Sequence, residues 1–260
     1  MCRMPTFLFH DIIFGPVISR RLGVSLGVNL LPTSSKFCNF NCIYCECGWT
    51  LNRQSPKFPP RELVHKLLVE RLQERHANHE PLDVITFAGN GEPTIHPHFP
   101  EIIDDTILAR NQYFPEAKVV VLSNATMLHN TKVVEALRKV DQAALKLDSA
   151  IDTTMRLING PQMPLSVTQI EERMREFGHQ FTLQTLFLTG HFNGQVVDNT
   201  TPQELEAWLA VLERLRPRDV MIYTIDRETP ASDLHKVSLE KLQAIAARVK
   251  ALGVTTQVRG

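Results

Sequence analysis

Short runs of consecutive apolar residues alternate along this chain with longer stretches in which apolar positions recur every three to four residues. "LDVITFAG" (82–89), "KVVVLSN" (118–124), "QAALKLD" (142–148), "FTLQTLFL" (181–188) and "DVMIYTI" (219–225) are continuous apolar runs, the pattern of parallel strands covered on both faces. "LGVSLGVNLL" (22–31) supplies a first strand ahead of them. Helical spacing fills the intervals: "PRELVHKLLVERLQERH", "HFPEIIDDTILARN", "TKVVEALRKV", "PLSVTQIEERMREFG", "TPQELEAWLAVLERLR" and "SLEKLQAIAARVKALG". Thr201 with Pro202 and Glu204, and Ser238 with Glu240 and Lys241, predict capped helix starts, while Gly178 and Gly253 sit where helices end.

Six strand-helix units result, with "VTTQVRG" (254–260) as a possible closing strand. Such alternation predicts an α/β fold with a parallel sheet and right-handed crossovers. Six units are too few for a complete eightfold barrel, so a partial, open (β/α)6 TIM-type barrel is expected, with a doubly wound sheet as the alternative. No low-complexity linker divides the chain. One domain is expected over residues 1–260, with a core of about 20–230, an N-terminal extension (1–19) and a C-terminal helix with the possible closing strand (231–260). In either architecture ligands gather at the carboxyl ends of the strands.

Hydrophobic residues make up 43% and charged residues 22%, the range of an ordinary packed protein. The 28 basic and 28 acidic side chains cancel, so no overall field draws the chain to nucleic acid or an anionic membrane. The start, "MCRMPTFLFHDIIFGPV", is broken by His10, Asp11 and Pro16 and does not read as a signal peptide. No apolar run approaches the roughly 20 residues of a spanning helix, so no membrane is expected and the location expected is cytoplasmic. Four of the five cysteines fall within "KFCNFNCIYCECGW" (36–49), a poor disulfide framework; Cys2 stands apart and is read as inert.

Cys38, Cys42 and Cys45 form C-x3-C-x2-C at the carboxyl end of the first strand. Three thiolates on one tight loop can hold three corners of a [4Fe-4S] cube and leave the fourth iron without a protein ligand. Structural zinc prefers separated pairs or a Cys/His set, and His65 and His76 lie on a predicted helix without a matching spacing. Cys47 as a fourth ligand would close the site and leave a plain electron carrier or sensor, which stays open on counting alone.

With Tyr44 just before the last of these cysteines, the segment resembles the radical S-adenosylmethionine (SAM) superfamily. The resemblance runs from "FGPVISRRLGVSLGVNLLP" through "MIYTIDRETP". Within the superfamily the chain looks most like the iron-sulfur oxidoreductases related to the wybutosine-synthesis enzymes, which share the "GPVxSRRLGxSLG", "CNFNCIYC" and "GNGEPT" segments. The resemblance implies that Cys38, Cys42 and Cys45 bind the [4Fe-4S] cluster, that SAM chelates the open iron, and that Tyr44 lies beside its adenine. It also implies reductive cleavage of SAM to a 5'-deoxyadenosyl radical that abstracts hydrogen from a substrate.

"AGNGEPT" (88–94) follows the second strand, and its glycines let backbone carbonyls come close to an ammonium group. By resemblance Gly89, Asn90, Gly91, Glu92 and Pro93 receive the methionine amino group of SAM, although Asn90 departs from the family's double glycine. Ser123 and Asn124 end the third strand, Lys146 and Asp148 the fourth, and Gln184 lies in the fifth. Each is polar amid apolar neighbours, where an unpaired buried group costs about 1–3 kcal/mol. The resemblance assigns them to SAM; internal polar packing of the barrel is the plainer alternative.

Tyr223, Thr224, Asp226 and Arg227 are expected at the mouth of the sixth strand, and Ser19, Arg20 and Arg21 precede the first; either set is a candidate for substrate contact. His96 and His98 in "IHPHFP" read as a solvent-facing loop rather than as metal ligands. No flavin or nicotinamide motif is present, so an external one-electron donor, flavodoxin or ferredoxin, is implied. No cysteine follows Cys47, which disfavours an auxiliary cluster. A small molecule, a peptide or RNA all stay open as the substrate.

Overall fold

A computed structural model of the chain describes residues 7–19, 23–51 and 56–260. Cys2, Arg20 and Arg21 lie outside the described residues. The elements run β1 (Ile13–Ser19), β2 (Gly23–Val28), α1 (Arg61–Ala77), β3 (Val84–Phe87), α2 (Phe99–Tyr113), β4 (Lys118–Ser123), α3 (Thr131–Lys139), β5 (Gln142–Lys146) and α4 (Asp152–Asn159). They continue with α5 (Val167–Phe177), β6 (Thr182–Phe192), β7 (Gln195–Asp198), α6 (Pro202–Leu215), β8 (Asp219–Thr224), β9 (Leu234–Lys236), α7 (Leu239–Ala251) and β10 (Thr255–Arg259).

The strands order as β1-β2-β3-β4-β5-β6-β8-β10, and every neighbouring pair from β2 to β10 is parallel. Each parallel neighbour follows a helical crossover, as the alternating pattern requires. The sheet is not closed among the described residues, because β10 adds to β8 and β1 occupies the far end. The expected partial (β/α) barrel is therefore the fold found, with "VTTQVRG" extending the sheet rather than closing it.

The local reasons are visible in the side chains. All four residues of β3 are buried, so the absence of period-two alternation follows from helices covering one face and the barrel interior filling the other. Thr201 Oγ1 caps α6 through the Glu204 amide at 3.3 Å, with Pro202 at the first helical position. Ser238 caps α7, Ser166 and Gln169 form a reciprocal capping box on α5, and Gly178 ends α5. Trp208 of α6 is fully buried edge-on to Phe187 of β6, its indole N–H on Thr185 Oγ1 at 3.1 Å.

Four elements depart from the sequence pattern: β7 and β9, which both pair antiparallel with the end of β6, and β1 and α4. The stretch taken as an N-terminal extension forms β1, antiparallel to β2, with a register shift between Phe14 and Val17 that accommodates Pro16. An edge strand tolerates proline because one side of it needs no ladder partner. Helix α4 is only eight residues long, too short to show a period, and ends at Gly160 in the left-handed conformation.

Candidate active site

A cavity of about 610 Å³ opens at the carboxyl ends of the parallel strands. Cys38, Cys42, Tyr44, Cys45 and Cys47 line one side of it, together with Lys36. Gly89, Gly91 and Glu92 follow β3, Ser123 and Asn124 come from the end of β4, and Lys146 and Gln184 from β5 and β6. Tyr223 and Thr224, which end β8, and Asp226 and Arg227, just after it, also line the cavity, and Arg227 is paired with Glu46 at 2.8 Å. A depression of similar size, about 640 Å³, lies over the loop between α4 and α5, but its lining of Pro161, Met163, Leu165 and their neighbours holds no thiol or carboxylate.

The cysteine loop has no regular structure, so its position depends on attachments to the barrel. Phe37 N–H donates to Asn90 O at 2.8 Å and Glu92 N–H to Phe37 O at 3.3 Å. Gly91 is required at that crossing: its φ is +144°, and a Cβ there would come within 1.8 Å of the Phe37 carbonyl oxygen. The glycine thus admits the cysteine loop as well as any ligand. On the other flank Asn41 N–H bonds Asn159 O at 2.9 Å and Ile43 N–H bonds Ile158 O at 2.9 Å, both at the end of α4.

The polar strand-end residues form two buried networks. In the first, the Glu92 carboxylate accepts from Thr94 Oγ1 at 2.5 Å, Ser123 Oγ at 2.8 Å and Asn124 N–H at 2.6 Å. Burial pushes the Glu92 carboxyl up, opposed by these donors. Asn124 Nδ2 reaches Asn39 Oδ1 at 2.6 Å and the Cys38 sulfur at 3.7 Å. In the second, Asp148 accepts from Tyr44 OH, from Asn159 Nδ2 at 2.6 Å and from Leu186 N–H at 2.9 Å, with Lys146 Nζ 3.5 Å away. Lys146 also donates to Tyr44 OH at 2.7 Å and Tyr223 OH at 3.2 Å. Burial alone would lower the Lys146 ammonium, but Asp148, Tyr223 and Cys42 outweigh it and raise it.

Three expected contacts do not reach the cavity. Asn90 is fully buried with its side chain directed away, donating to Phe9 O at 2.8 Å and Pro32 O at 2.9 Å and accepting from Phe9 N–H at 2.9 Å. It fastens the N-terminal segment to the barrel. Pro93 starts a buried 3-10 turn, Pro93–Ile95, and Asp148 lies beneath Tyr44 with its side chain fully enclosed. Gln184 does line the cavity, donating to Ala144 O at 3.3 Å. His96 is not in a solvent-facing loop either: it is 3% exposed, with Nε2 on Pro59 O at 2.9 Å.

Lys36 and Asn159 escaped the sequence reading. Lys36 sits directly before the cysteine motif, its Nζ donating to Gly48 O at 2.8 Å. Asn159 Nδ2 meets the Cys42 sulfur at 3.5 Å. The Asn-Gly pair 159–160 was the available signal for a helix end, but nothing local ties that end to a cysteine.

The donor set fits an iron-sulfur group. Cys38, Cys42 and Cys45 are free thiols lining the cavity, and N–H donors point at two of their sulfurs, Phe40 N–H at 3.4 Å and Asn124 Nδ2 at Cys38 and Asn159 Nδ2 at Cys42. Such donors suit thiolates better than thiols. Burial pushes the Cys38 and Cys42 thiols up, so a bound metal would have to displace their protons. The neighbouring Cys47 lowers Cys45 against its burial, with Lys36 adding to the effect.

The Radical SAM superfamily profile matches residues 33–198, more than half of the chain. The chain belongs to the radical SAM superfamily. A UPF0026 protein of Helicobacter pylori is 34% identical over 224 residues, covering 83% of this chain and 67% of that protein. UPF0026 protein MJ1312 of Methanocaldococcus jannaschii is 33% identical over 64% of this chain and 49% of its own length. Among solved structures, a radical SAM methyltransferase from Sphaerobacter thermophilus superposes with a TM-score of 0.63 at 15% identity, over 90% of this chain and 65% of that one. Streptococcus suis SuiB bound to S-adenosylmethionine gives 0.61 at 15% identity, over 89% and 50%. Archaeal TYW1 gives 0.53 at 13% identity, over 87% and 71%. These likenesses establish the partial-barrel fold, and this radical SAM chain spans about half to two thirds of the first two structures. No helix among the described residues is long and apolar enough to cross a membrane.

Proposed function

We propose that this radical SAM chain is an enzyme whose Cys38, Cys42 and Cys45 hold a [4Fe-4S] cluster and whose cavity receives SAM and a substrate. The observation that carries the reading is the meeting of three unpaired thiols with the Gly89–Gly91–Glu92 segment at one strand-end cavity. Bound there and reduced by flavodoxin or ferredoxin, the cluster and SAM would supply a 5'-deoxyadenosyl radical that removes a hydrogen atom from the substrate.

The chain's own residues bind, orient and shield. The half-buried Gly89 accepts a hydrogen bond through its carbonyl at the cavity wall, at present from Cys47 Sγ at 3.5 Å, and that oxygen is available to an ammonium group. Tyr44, its hydroxyl fixed by Asp148 and Lys146, offers a ring whose position cannot drift when a planar group stacks on it. Ser123 and Asn124 hold the Glu92 carboxylate, and through it the loop after β3, against the cysteine loop. Leu122, Leu186 and Ile225 make part of the wall apolar, which excludes water from a reactive centre.

Cys47 supports a second reading, because it lines the same cavity as Cys38, Cys42 and Cys45. As a fourth thiolate it would leave no open iron, and the protein would be an electron carrier or sensor. Anaerobic reconstitution with iron and sulfide, followed by dithionite and SAM, separates the two. Formation of 5'-deoxyadenosine, retained in C47A, is the expected result. A loaded cluster that is indifferent to SAM and is lost in C47A would establish the carrier instead.

A further inference from the structure

Lys36 is 4% exposed and lines the cavity together with Cys38, Cys42 and Cys45, whose negative charge would favour its ammonium form. It is anchored at both ends. Its neighbour Phe37 is pinned to Asn90 O at 2.8 Å, and its Nζ is held at 2.8 Å by the carbonyl of Gly48, whose own N–H bonds Cys45 O at 2.8 Å. Turning the side chain toward solvent would break that hydrogen bond to the cysteine loop. A buried ammonium is stable only beside negative charge, and thiolates in a loaded site supply it. The other cation near the cysteines, Lys146, is already matched by Asp148 at 3.5 Å, whereas the carbonyl that holds Lys36 is neutral.

We propose that Lys36 is a positioning residue for electron entry, its fixed positive charge raising the reduction potential of the iron-sulfur group held by the three cysteines. The inference rests on the function proposed above. Adding an electron to a group already surrounded by thiolates increases its negative charge, and a cation held beside it in a poorly screened interior favours that state. Glu92, near Cys38, and Asp148, near Cys42, act in the opposite direction. Lys36 keeps the balance of charge at the site from falling on the side of the oxidised state.

The test uses the full chain, anaerobically reconstituted, as wild type, K36M and K36R. Iron and sulfide are quantified, and the cluster is titrated against applied potential with detection by electron paramagnetic resonance. At one applied potential K36M should show a ratio of reduced to oxidised cluster about tenfold lower, a midpoint about 59 mV more negative for one electron, while K36R stays within about threefold of wild type. A K36M midpoint equal to that of wild type at equal iron content would overturn the inference. Should K36M take up no iron, K36Q keeps an N–H donor toward Gly48 without the charge and carries the same comparison. A wild-type chain that binds no iron and sulfide would overturn the proposed function together with this inference. A loaded chain whose midpoint ignores residue 36 would overturn this inference alone.

Discussion

Replacing Lys146 with methionine isolates the buried charge pair that supports Tyr44. The Lys146 and Asp148 side chains are 14% and 0% exposed and lie 3.5 Å apart, so solvent screens their attraction little. Breaking such a pair by removing one partner costs about 3–5 kcal/mol, because the other charge stays buried. Asp148 keeps three donors after the change, Tyr44 OH, Asn159 Nδ2 and Leu186 N–H, which holds the cost near the lower end, at about 3 kcal/mol. Methionine preserves most of the carbon stem, so little of that loss is cavity formation. The assay is equilibrium urea unfolding of the cluster-free chain at neutral pH, read from the midpoint at constant slope. Pairing the change with Asp148→Asn removes both charges and should restore at least half of the loss, since an uncharged replacement of a buried pair is often close to neutral. A K146M stability within about 1 kcal/mol of wild type, as for a solvent-screened pair, would refute the reasoning.

Gly91→Ala must move either its own backbone or the Phe37 carbonyl, which a Cβ would approach to 1.8 Å at a φ of +144°. A loss of at least about 2 kcal/mol on unfolding, with reduced iron uptake, is expected; unchanged stability would mean that the two loops are not locked together. His96 supplies a pH test. Its Nε2 donates to Pro59 O at 2.9 Å and its Nδ1 accepts from His98 N–H at 3.1 Å, a pairing open only to the neutral ring. Burial first, with His98 adding, lowers its pKa below the ordinary 6.5, so the unfolded chain takes up the proton first as pH falls. The contribution of neutral His96 is present above about pH 6.5 and is lost below it. Stability measured from neutral to mildly acidic pH should therefore fall less steeply in His96→Gln than in wild type, and parallel curves would contradict the assignment.

Strands β3, β4, β5, β6 and β8 were legible because they are buried nearly throughout and so appear as apolar runs, and Thr201 and Ser238 mark helix starts by residue type alone. The cysteine motif was legible for the same reason: its spacing is local. What the sequence concealed is pairing across long separations. Proline in "FGPV" suggested a break, but the antiparallel partner of that strand absorbs it with a shifted register. Asn90 looked like part of a ligand loop, yet its amide is engaged by Phe9, 81 positions earlier. Lys146 and Asp148 read as equivalent cavity contacts, although one reaches the cavity and the other supports Tyr44 from below. No pattern in a single sequence separates those two roles.

The same distinction explains how an irregular loop can serve as a rigid platform. Residues 36–49 contain no helix or strand that would fix their shape, and a free loop carrying three thiols would lose much of any binding energy to ordering. Here the order is supplied beforehand by three separate parts of the chain. The loop after β3 holds Phe37, the end of α4 holds Asn41 and Ile43, and Ala231 N–H bonds Ile43 O at 3.2 Å. Asn124, just after β4 and bonded to Glu92, and Asn159, at the end of α4, then extend to the Cys38 and Cys42 sulfurs themselves. Donors that orient the sulfurs are thus built into the same contacts that hold the backbone. A change at α4, far along the sequence from the cysteines, should consequently disturb the thiol geometry as directly as a change within the motif.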